Sequence, residues 1–401
     1  MTTPQDPPAP SDLPLAGLKV IEFTHMVMGP SIGIILADMG ADVTKVEPVQ
    51  GDNTRRLSGS GAGYFAMYNR NKKSLAIDTK SAKGREIVQQ LLSDADIVIE
   101  NFRAGSMDEL GFGYDALAAT NPRLIYCSGK GFLTGPYEHR TALDEVAQMM
   151  GGLAYMTGLP DKPMRAGASV IDVTGAMFGV IGILGALEQR HRTGRGQRIT
   201  TSLYETTAFL VGQHMAQFAV TGKAAPPMSI RQSAWAVYDV FEAGDGERVF
   251  AAVVSDTQWR KFCEAFGFDD FLADASLAGN TERVRQRERT LPVIRERFRQ
   301  FDKAGLMARL EATGLPFAPI AKPEELLDDP HLNAAGGLVP VTLPDGRSTR
   351  LPALPIEMDG RRFGLRHDLP QVGANNRELL LARGLSGADV DALVAQGVLH
   401  P

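Results

Sequence analysis

The 401 residues include 44% hydrophobic and 22% charged side chains, the balance of an ordinary soluble globular chain long enough for two hydrophobic cores. A formal net charge of −5 argues against a nucleic-acid or anionic-membrane binder, so any anionic ligand has to be held by local Lys, Arg or backbone N–H groups. Two cysteines, Cys127 and Cys263, and seven scattered histidines offer neither a disulfide framework nor a metal-ligand cluster, and no metal is expected.

The opening MTTPQDPPAPSDLP is a Pro-rich arm, expected to be disordered over 1–14. It has neither the basic nor the apolar stretch of a signal peptide, which points to the cytoplasm. From 15 to about 225 short apolar runs alternate with helical segments. LKVIEF (Leu18–Phe23) is a strand and GPSIGIILADMG (Gly29–Gly40) a helix, with Pro30 suited to its first position. ADVTKVEP (Ala41–Pro48) and KSLAID (Lys73–Asp78) are the next strands, and Ser81 caps a helix running to about Leu92. DIVIEN (Asp96–Asn101) and RLIYCSGKG (Arg123–Gly131) complete five strands. This rhythm predicts a large α/β domain on a doubly wound, Rossmann-like parallel sheet.

Asp172–Gly194 then reads as one long helix, followed by a strand and helix over Gly196–His214. Its apolar stretch, Val173–Leu187, is shorter than the ~18 residues a membrane span needs. Gly175, Gly179, Gly182 and Gly185 leave one face nearly bare, at roughly 1 kcal/mol each relative to alanine, so another helix or subunit is expected to approach closely. Pro226–Pro227 opens a linker and a smaller α+β domain over 226–330, with a hairpin turned at Gly244–Gly246. The Arg/Glu-rich stretch Thr281–Phe301 reads as a solvated helix face. Residues 331–401 are Pro-rich and strand-poor until a final helix after Ser386, and are expected to return to the large domain.

Open α/β sheets bind ligands beyond the carboxyl ends of their strands. The predicted exits are Thr24–Met28 (with His25, Val27 and Met28), Glu47–Pro48, Asp78–Lys80, Asn101–Arg103 (with Phe102) and Lys130–Phe132. Lys80, Arg103 and Lys130 put cations at three of them, and a helix N-terminus follows the first, a cradle suited to a phosphate-rich nucleotide. Taken singly, Lys80 and Arg103 read more readily as solvated surface charges; their convergence on one edge of the sheet is what points to a site. No GxGxxG follows the first strand and no GxxxxGK[ST] occurs, so neither a nicotinamide nor a P-loop site is supported. Asp172, in RAGASVIDVTGAMFGV, has two readings: an N-cap of the long helix, or a nucleophilic carboxylate in apolar surroundings.

The segments PLAGLKVIEFTHMVMGP, LADMGADVTKVEP, NRNKKSLAIDTKSAKG, ADIVIENFRAGSMDELGFGYDAL, NPRLIYCSGKGF and ALEQRHRTGRGQRI resemble, in order and spacing, the class III CoA-transferase family of the CaiB/BaiF type. The resemblance implies transfer of CoA between carboxylic acids, with Asp172 in the place of the catalytic aspartate. It implies that His25, Val27, Met28, Lys80, Asn101, Phe102 and Lys130 surround the CoA, and the strand-exit reading adds Asp78 and Arg103 to them. It also implies an interlocked-ring homodimer, and CoA thioester as substrate with no metal or redox cofactor. GFLTGPYEHRTALDEVAQMMGGLAYMTG is similar to members acting on C4–C5 dicarboxylates such as mesaconate or succinate, with oxalate and formate as the alternatives. Two departures stand out: Glu109 replaces an arginine that several members carry, and no glycine-rich tetrad lies around Ser229–Trp235. A racemase branch of the family uses a histidine where TALDEVAQ has Leu143, with His139 four residues earlier. That alternative, and a non-catalytic CoA-binding protein, are weighed against the transferase.

Overall fold

The first half of the chain repeats one move: a short apolar strand, a turn, and a helix that covers it. In order these are β1 (Lys19–Phe23), α1 (Met28–Asp38), β2 (Asp42–Glu47), α2 (Tyr64–Tyr68), β3 (Lys72–Ala76), α3 (Ala82–Leu92), β4 (Ile97–Glu100), α4 (Ser106–Leu110), α5 (Tyr114–Thr120) and β5 (Ile125–Lys130). Then come α6 (Asp144–Met150), α7 (Leu153–Thr157), α8 (Val170–Thr193), β6 (Arg198–Ser202) and α9 (Leu203–Thr221). This computed structural model describes residues 9–231, 233–334 and 336–401. The six strands form one parallel sheet in the order β3-β2-β1-β4-β5-β6, the doubly wound α/β architecture expected. The order in which strands are added reverses between the parallel neighbours β1 and β4, where Phe23 is in register with Glu100, and a crevice opens beyond such a switch point.

Successive strand residues face opposite sides, and both sides are covered. Val20, Ile97, Ile99 and Ile125 pack beneath α1 and α8, with Ile32, Leu36, Val180 and Ile183. Their neighbours Ile21, Val98 and Tyr126 face α3 and the end of the chain, with Leu91, Leu380 and Leu393. Pro30 is the third residue of α1, not the first; it is still within the turn whose N–H groups have no helical partner, so it costs the helix nothing.

α8 runs 24 residues and, by length and composition alone, could cross a membrane; the shorter apolar stretch read from sequence understates it. Here it is a core helix lying on α1, β5 and β6. A Cβ on Gly175, Gly179 or Gly182 would stand 2.9, 2.9 and 2.8 Å from Met28, Ile32 and Ile199, so close approach of α1 and β6 explains three of the four glycines. Gly185 faces open space.

A second unit comprises Ile230–Leu326, and residues 327–401 belong with the first. The limits differ by a few residues from 226–330 because Met228 N–H bonds Met156 O and Ser229 Oγ bonds Gly158 O, while Leu327 O accepts from Asn333 and Arg350. The second unit contains β7 (Val237–Glu242), β8 (Arg248–Val253), α10 (Asp256–Phe266), α11 (Asp269–Ala273), α12 (Asn280–Arg285), α13 (Arg287–Phe298), α14 (Lys303–Thr313) and β9 (Phe317–Pro319). Its antiparallel sheet, β7-β8-β9, packs on Phe262, Phe266 and Phe298. The Arg-rich stretch is not wholly a solvated face. Arg283 is buried and donates to Leu277 O and Ala278 O, and Arg287 to Trp235 O and Ala236 O, carbonyls that need a donor once enclosed.

The last segment holds α15 (Pro330–Ala334), β10 (Leu338–Thr342), β11 (Ser348–Pro352), β12 (Glu357–Met358), β13 (Arg361–Arg362), α16 (Asn376–Leu381) and α17 (Gly387–Ala395). Two small antiparallel pairs stand where a strand-poor tail was expected; Pro340 and Pro352 disguise the first, and proline is tolerated in such edge strands. The tail closes on β3: Asn376 Oδ1 accepts from Ala76 N–H at 2.9 Å, and His400 N–H bonds Ala76 O. At the other end, residues 1–8 of the expected disordered arm lie outside the described residues. Pro10–Asp12 form a 3-10 turn and Leu13 is buried against Gly40, so the order begins earlier than Leu15.

Candidate functional site

The switch point is fixed by reciprocal hydrogen bonds. His25 N–H donates to Asn101 Oδ1 and Asn101 Nδ2 donates to His25 O, both at 3.0 Å, tying the exits of β1 and β4 together. The His25 ring lies 5.5 Å from that of Phe102, and burial holds its imidazole below the ordinary histidine range. Met26 takes a left-handed conformation, φ 63°, which costs a non-glycine residue roughly 1–3 kcal/mol. Its N–H is held by Thr54 Oγ1 at 3.0 Å.

Charges buried beneath the loop keep it there. Lys45 Nζ donates to Thr24 O at 2.6 Å and pairs with Asp52 at 3.0 Å. Lys72, fully enclosed, pairs with Glu22 at 2.9 Å, and burial drags its ammonium down to about 8. Buried ion pairs add little net stability, but removing one partner is costly, so such a network fixes geometry.

On the side toward β2 and β3, Pro48, Gln50, Asp78, Thr79, Lys80 and Phe102 line a cleft of about 490 Å³. Lys80 is exposed, and its side chain has no partner among the described residues, leaving it free to meet an anion. The other two predicted cations already have carboxylate partners. Lys130 pairs with Glu100 at 2.7 Å and donates to Phe102 O, while Arg103 pairs with Glu109 at 2.7 Å. Glu109, noted in the sequence as a departure, is what occupies Arg103.

Met28 carries the crevice across to α8. It packs with Ala147, Ile171 and Leu203, its Sδ lies 3.2 Å from where Gly129 would bear a Cβ, and the Gly129 position also meets Asn101. Val27 is buried as the N-cap residue of α1 and offers no capping side chain, so the N–H groups of Met28 and Gly29 have no capping partner among the described residues.

Asp172 is not a cap. The N-cap of α8 is Ser169, and Asp172 is the third helical residue. Its carboxylate, half-buried, accepts no hydrogen bond among the described residues. Burial first, and the Asp144 carboxylate second, push it up to about 7, opposed by Arg165. Tyr68 on α2 lies in the same field: burial and then Asp172 raise its phenol.

Sequence reasoning missed Asp144. Its Oδ2 accepts the N–H groups of Ile171 at 2.8 Å and Asp172 at 3.1 Å, and Gln148 Nε2 donates to its Oδ1 at 2.5 Å. Gln148 in turn accepts from Ala166 N–H at 2.8 Å. The one sequence signal is its place beside Leu143 in TALDEVAQ, the position that holds a histidine in the racemase branch. Leu143 is the N-cap residue of α6 and is exposed. The structure thus gathers His25, Val27, Met28, Asn101 and Phe102 at the switch point, sets Asp78 and Lys80 in the adjoining cleft, and leaves Arg103 and Lys130 paired.

The profile of CoA-transferase family III matches residues 15–376. The chain is 33% identical to a succinate–glutarate CoA-transferase of Agrobacterium fabrum, over 92% of this chain and 95% of that protein. It is 36% identical to a succinyl-CoA:mesaconate CoA-transferase of Haloarcula hispanica, over 82% and 86% respectively. Among solved structures, a CAIB/BAIF family protein from Brucella suis superposes with a TM-score of 0.82 at 33% identity, covering 92% of this chain and 99% of that one. A match along nearly the whole chain, in sequence and in fold, leaves one assignment: the protein belongs to CoA-transferase family III.

Proposed function

We propose that this CoA-transferase carries CoA from an acyl-CoA thioester to a free carboxylic acid through covalent intermediates on Asp172. The observation that carries the reading is a half-buried carboxylate at the start of α8 that has no hydrogen-bond partner among the described residues and is joined through Met28 to the switch-point crevice. A carboxylate freed of solvation and of donors is a stronger nucleophile. Asp172 attacks the thioester carbonyl, the C–S bond breaks, and CoA thiolate leaves a mixed anhydride. The thiolate attacks the Asp172 carbonyl, forming an aspartyl-CoA thioester and releasing the donor acid as its carboxylate. An acceptor carboxylate then runs both steps in reverse, regenerating Asp172 and producing the new thioester. Each tetrahedral intermediate needs donors, and both acyl intermediates need protection from water. CoA is the substrate, and this chemistry calls for no further cofactor.

The reading places the adenine and phosphates in the crevice and cleft around His25, Asn101, Phe102, Asp78 and Lys80, next to the start of α1. Arg103 and Lys130 contribute by shaping the exits through their carboxylate partners. Small dicarboxylates are the proposed acids, because relatives along most of the chain are named for succinate, glutarate and mesaconate. Mass spectrometry of acyl-CoA products from a panel of donors and acids tests this. Exchange with dicarboxylates supports it; exchange confined to monocarboxylates, or none with any pair, contradicts it.

The same reading takes a second copy of the chain as partner. α9 buries only Leu203, Thr206, Thr207 and Val211, while Phe209, Met215, Phe218 and Val220 are exposed; Phe209 meets Phe178 of α8, on which Met177 and Ile181 are also exposed. Apolar faces of this extent mark protein interfaces. Light scattering at micromolar concentration is expected to give a dimer; a monomer overturns the proposal.

A further inference from the structure

The first turn of a helix has unpaired N–H groups and a partial positive charge, so a carboxylate placed there is ordinarily stabilised and weakened as a nucleophile. Asp172 occupies such a position, the third residue of α8. Ser169, the N-cap, makes no capping bond. The N–H groups of the second and third helical residues, the pair an N-cap side chain normally serves, go to Asp144 Oδ2 on another helix, α6.

We propose that Asp144 is a positioning residue for Asp172: it pins the backbone that carries the nucleophile and, by placing a second carboxylate beside it, keeps that nucleophile strong. The inference rests on the reading of Asp172 as the attacking group. Asp144 is itself held rigidly. It is buried, bonded to the fully buried Gln148, and 3.6 Å from the Arg165 guanidinium, which also reaches Glu145 at 3.5 Å. Gln148 bonds Ala166 N–H, so α6 grips both the segment leading into α8 and its first turn. The titratable groups that act on Asp172 are therefore Asp144 from α6, Arg165 from the segment before α8, and Tyr68 from α2, with Glu145 of α6 reaching it only through Arg165. Asp144 raises the proton affinity of Asp172 beyond what burial does, and Arg165 pulls it down. A carboxylate with higher proton affinity attacks faster once ionised.

The test is the pH dependence of kcat/KM for an acyl-CoA donor, which reports the ionisation of the free enzyme. Asp144→Asn keeps an acceptor oxygen and removes the charge. The acid limb, near pH 7 in the wild type, is expected to move down by about one pH unit, with a lower kcat. Arg165→Gln is expected to move the limb upward. A purely structural Asp144 would lower kcat and leave the limb in place, and that result overturns the proposal. Should Asp144→Asn fail to fold by circular dichroism, Arg165→Gln decides: an upward shift supports the electrostatic arrangement and an unmoved limb overturns it. Asp172→Ala separates the two claims. If it retains turnover, the nucleophile reading falls and this one with it. If it is inactive while the limb of Asp144→Asn stays put, only the role of Asp144 falls.

Discussion

The switch-point crevice and the start of α8 treat their polar groups in opposite ways. At the crevice nearly everything is paired: Asn101 with His25, Lys45 with Thr24 O and Asp52, Lys72 with Glu22. At α8 the backbone donors are taken by Asp144, and the Asp172 carboxylate has no hydrogen-bond partner among the described residues. Under the proposed function, pairing fixes the surface assigned to CoA. Leaving one charged group unpaired keeps it reactive, at a cost to stability.

The comparison breaks most visibly at Asp172. Asp172→Ala should keep the fold and lower turnover roughly 10⁴-fold or more, as loss of a covalent nucleophile does; a variant with several percent of wild-type activity contradicts the assignment.

The second test measures the stability cost. Asp172 is raised from 3.8 to about 7 in the folded protein, so the native state binds the proton more tightly than the unfolded chain. Stability from this group is full below about pH 4 and is lost as pH rises to about 7, amounting to a few kcal/mol. Asp172→Asn should therefore stabilise the protein above pH 7 and change it little at pH 4, measured by thermal melts. An equal effect at both pH values means that charge is not what destabilises the site.

The third test is at the paired end. Asn101→Ala removes both bonds holding the His25 backbone, each worth about 1 kcal/mol, so KM for acyl-CoA should rise roughly tenfold with a smaller change in kcat. A loss confined to kcat would place Asn101 with the chemistry instead. Lys80→Ala, removing one exposed charge, should raise KM by about two- to threefold, less at high salt. No effect at all is expected on the α-carbon: a 2-methylacyl-CoA in heavy water without acceptor acid should take up no deuterium, because Leu143 cannot serve as a base. Rapid Asp172-dependent uptake would favour proton transfer at that carbon.

Much of the large sheet is legible because β1 to β5 are apolar runs bounded by turn residues, and Ser81 caps α3 as its position indicates, its Oγ accepting from Gly84 N–H. What the sequence hides is partnership at long range. Lys45 and Lys72 look like solvated strand charges, yet both are fully buried, because their carboxylates come from β1 and from the segment after β2. Asp172 drew notice through resemblance, while its residues alone also permitted a cap; Ser169 takes that position because the helix starts earlier than the apolar run. Asp144 is 28 residues from Asp172, and nothing local reveals that its carboxylate serves the backbone of another helix. The β10–β11 pair was hidden by its own prolines.

The central claim is that Asp172 becomes covalently attached to CoA. Incubating the enzyme with an acyl-CoA donor alone, quenching with hydroxylamine and mapping peptides by mass spectrometry tests it directly, since hydroxylamine converts an aspartyl thioester to a hydroxamate. The account predicts a hydroxamate on Asp172 that forms only with donor present. A hydroxamate on another carboxylate, or none from an enzyme that is turning over, would contradict it.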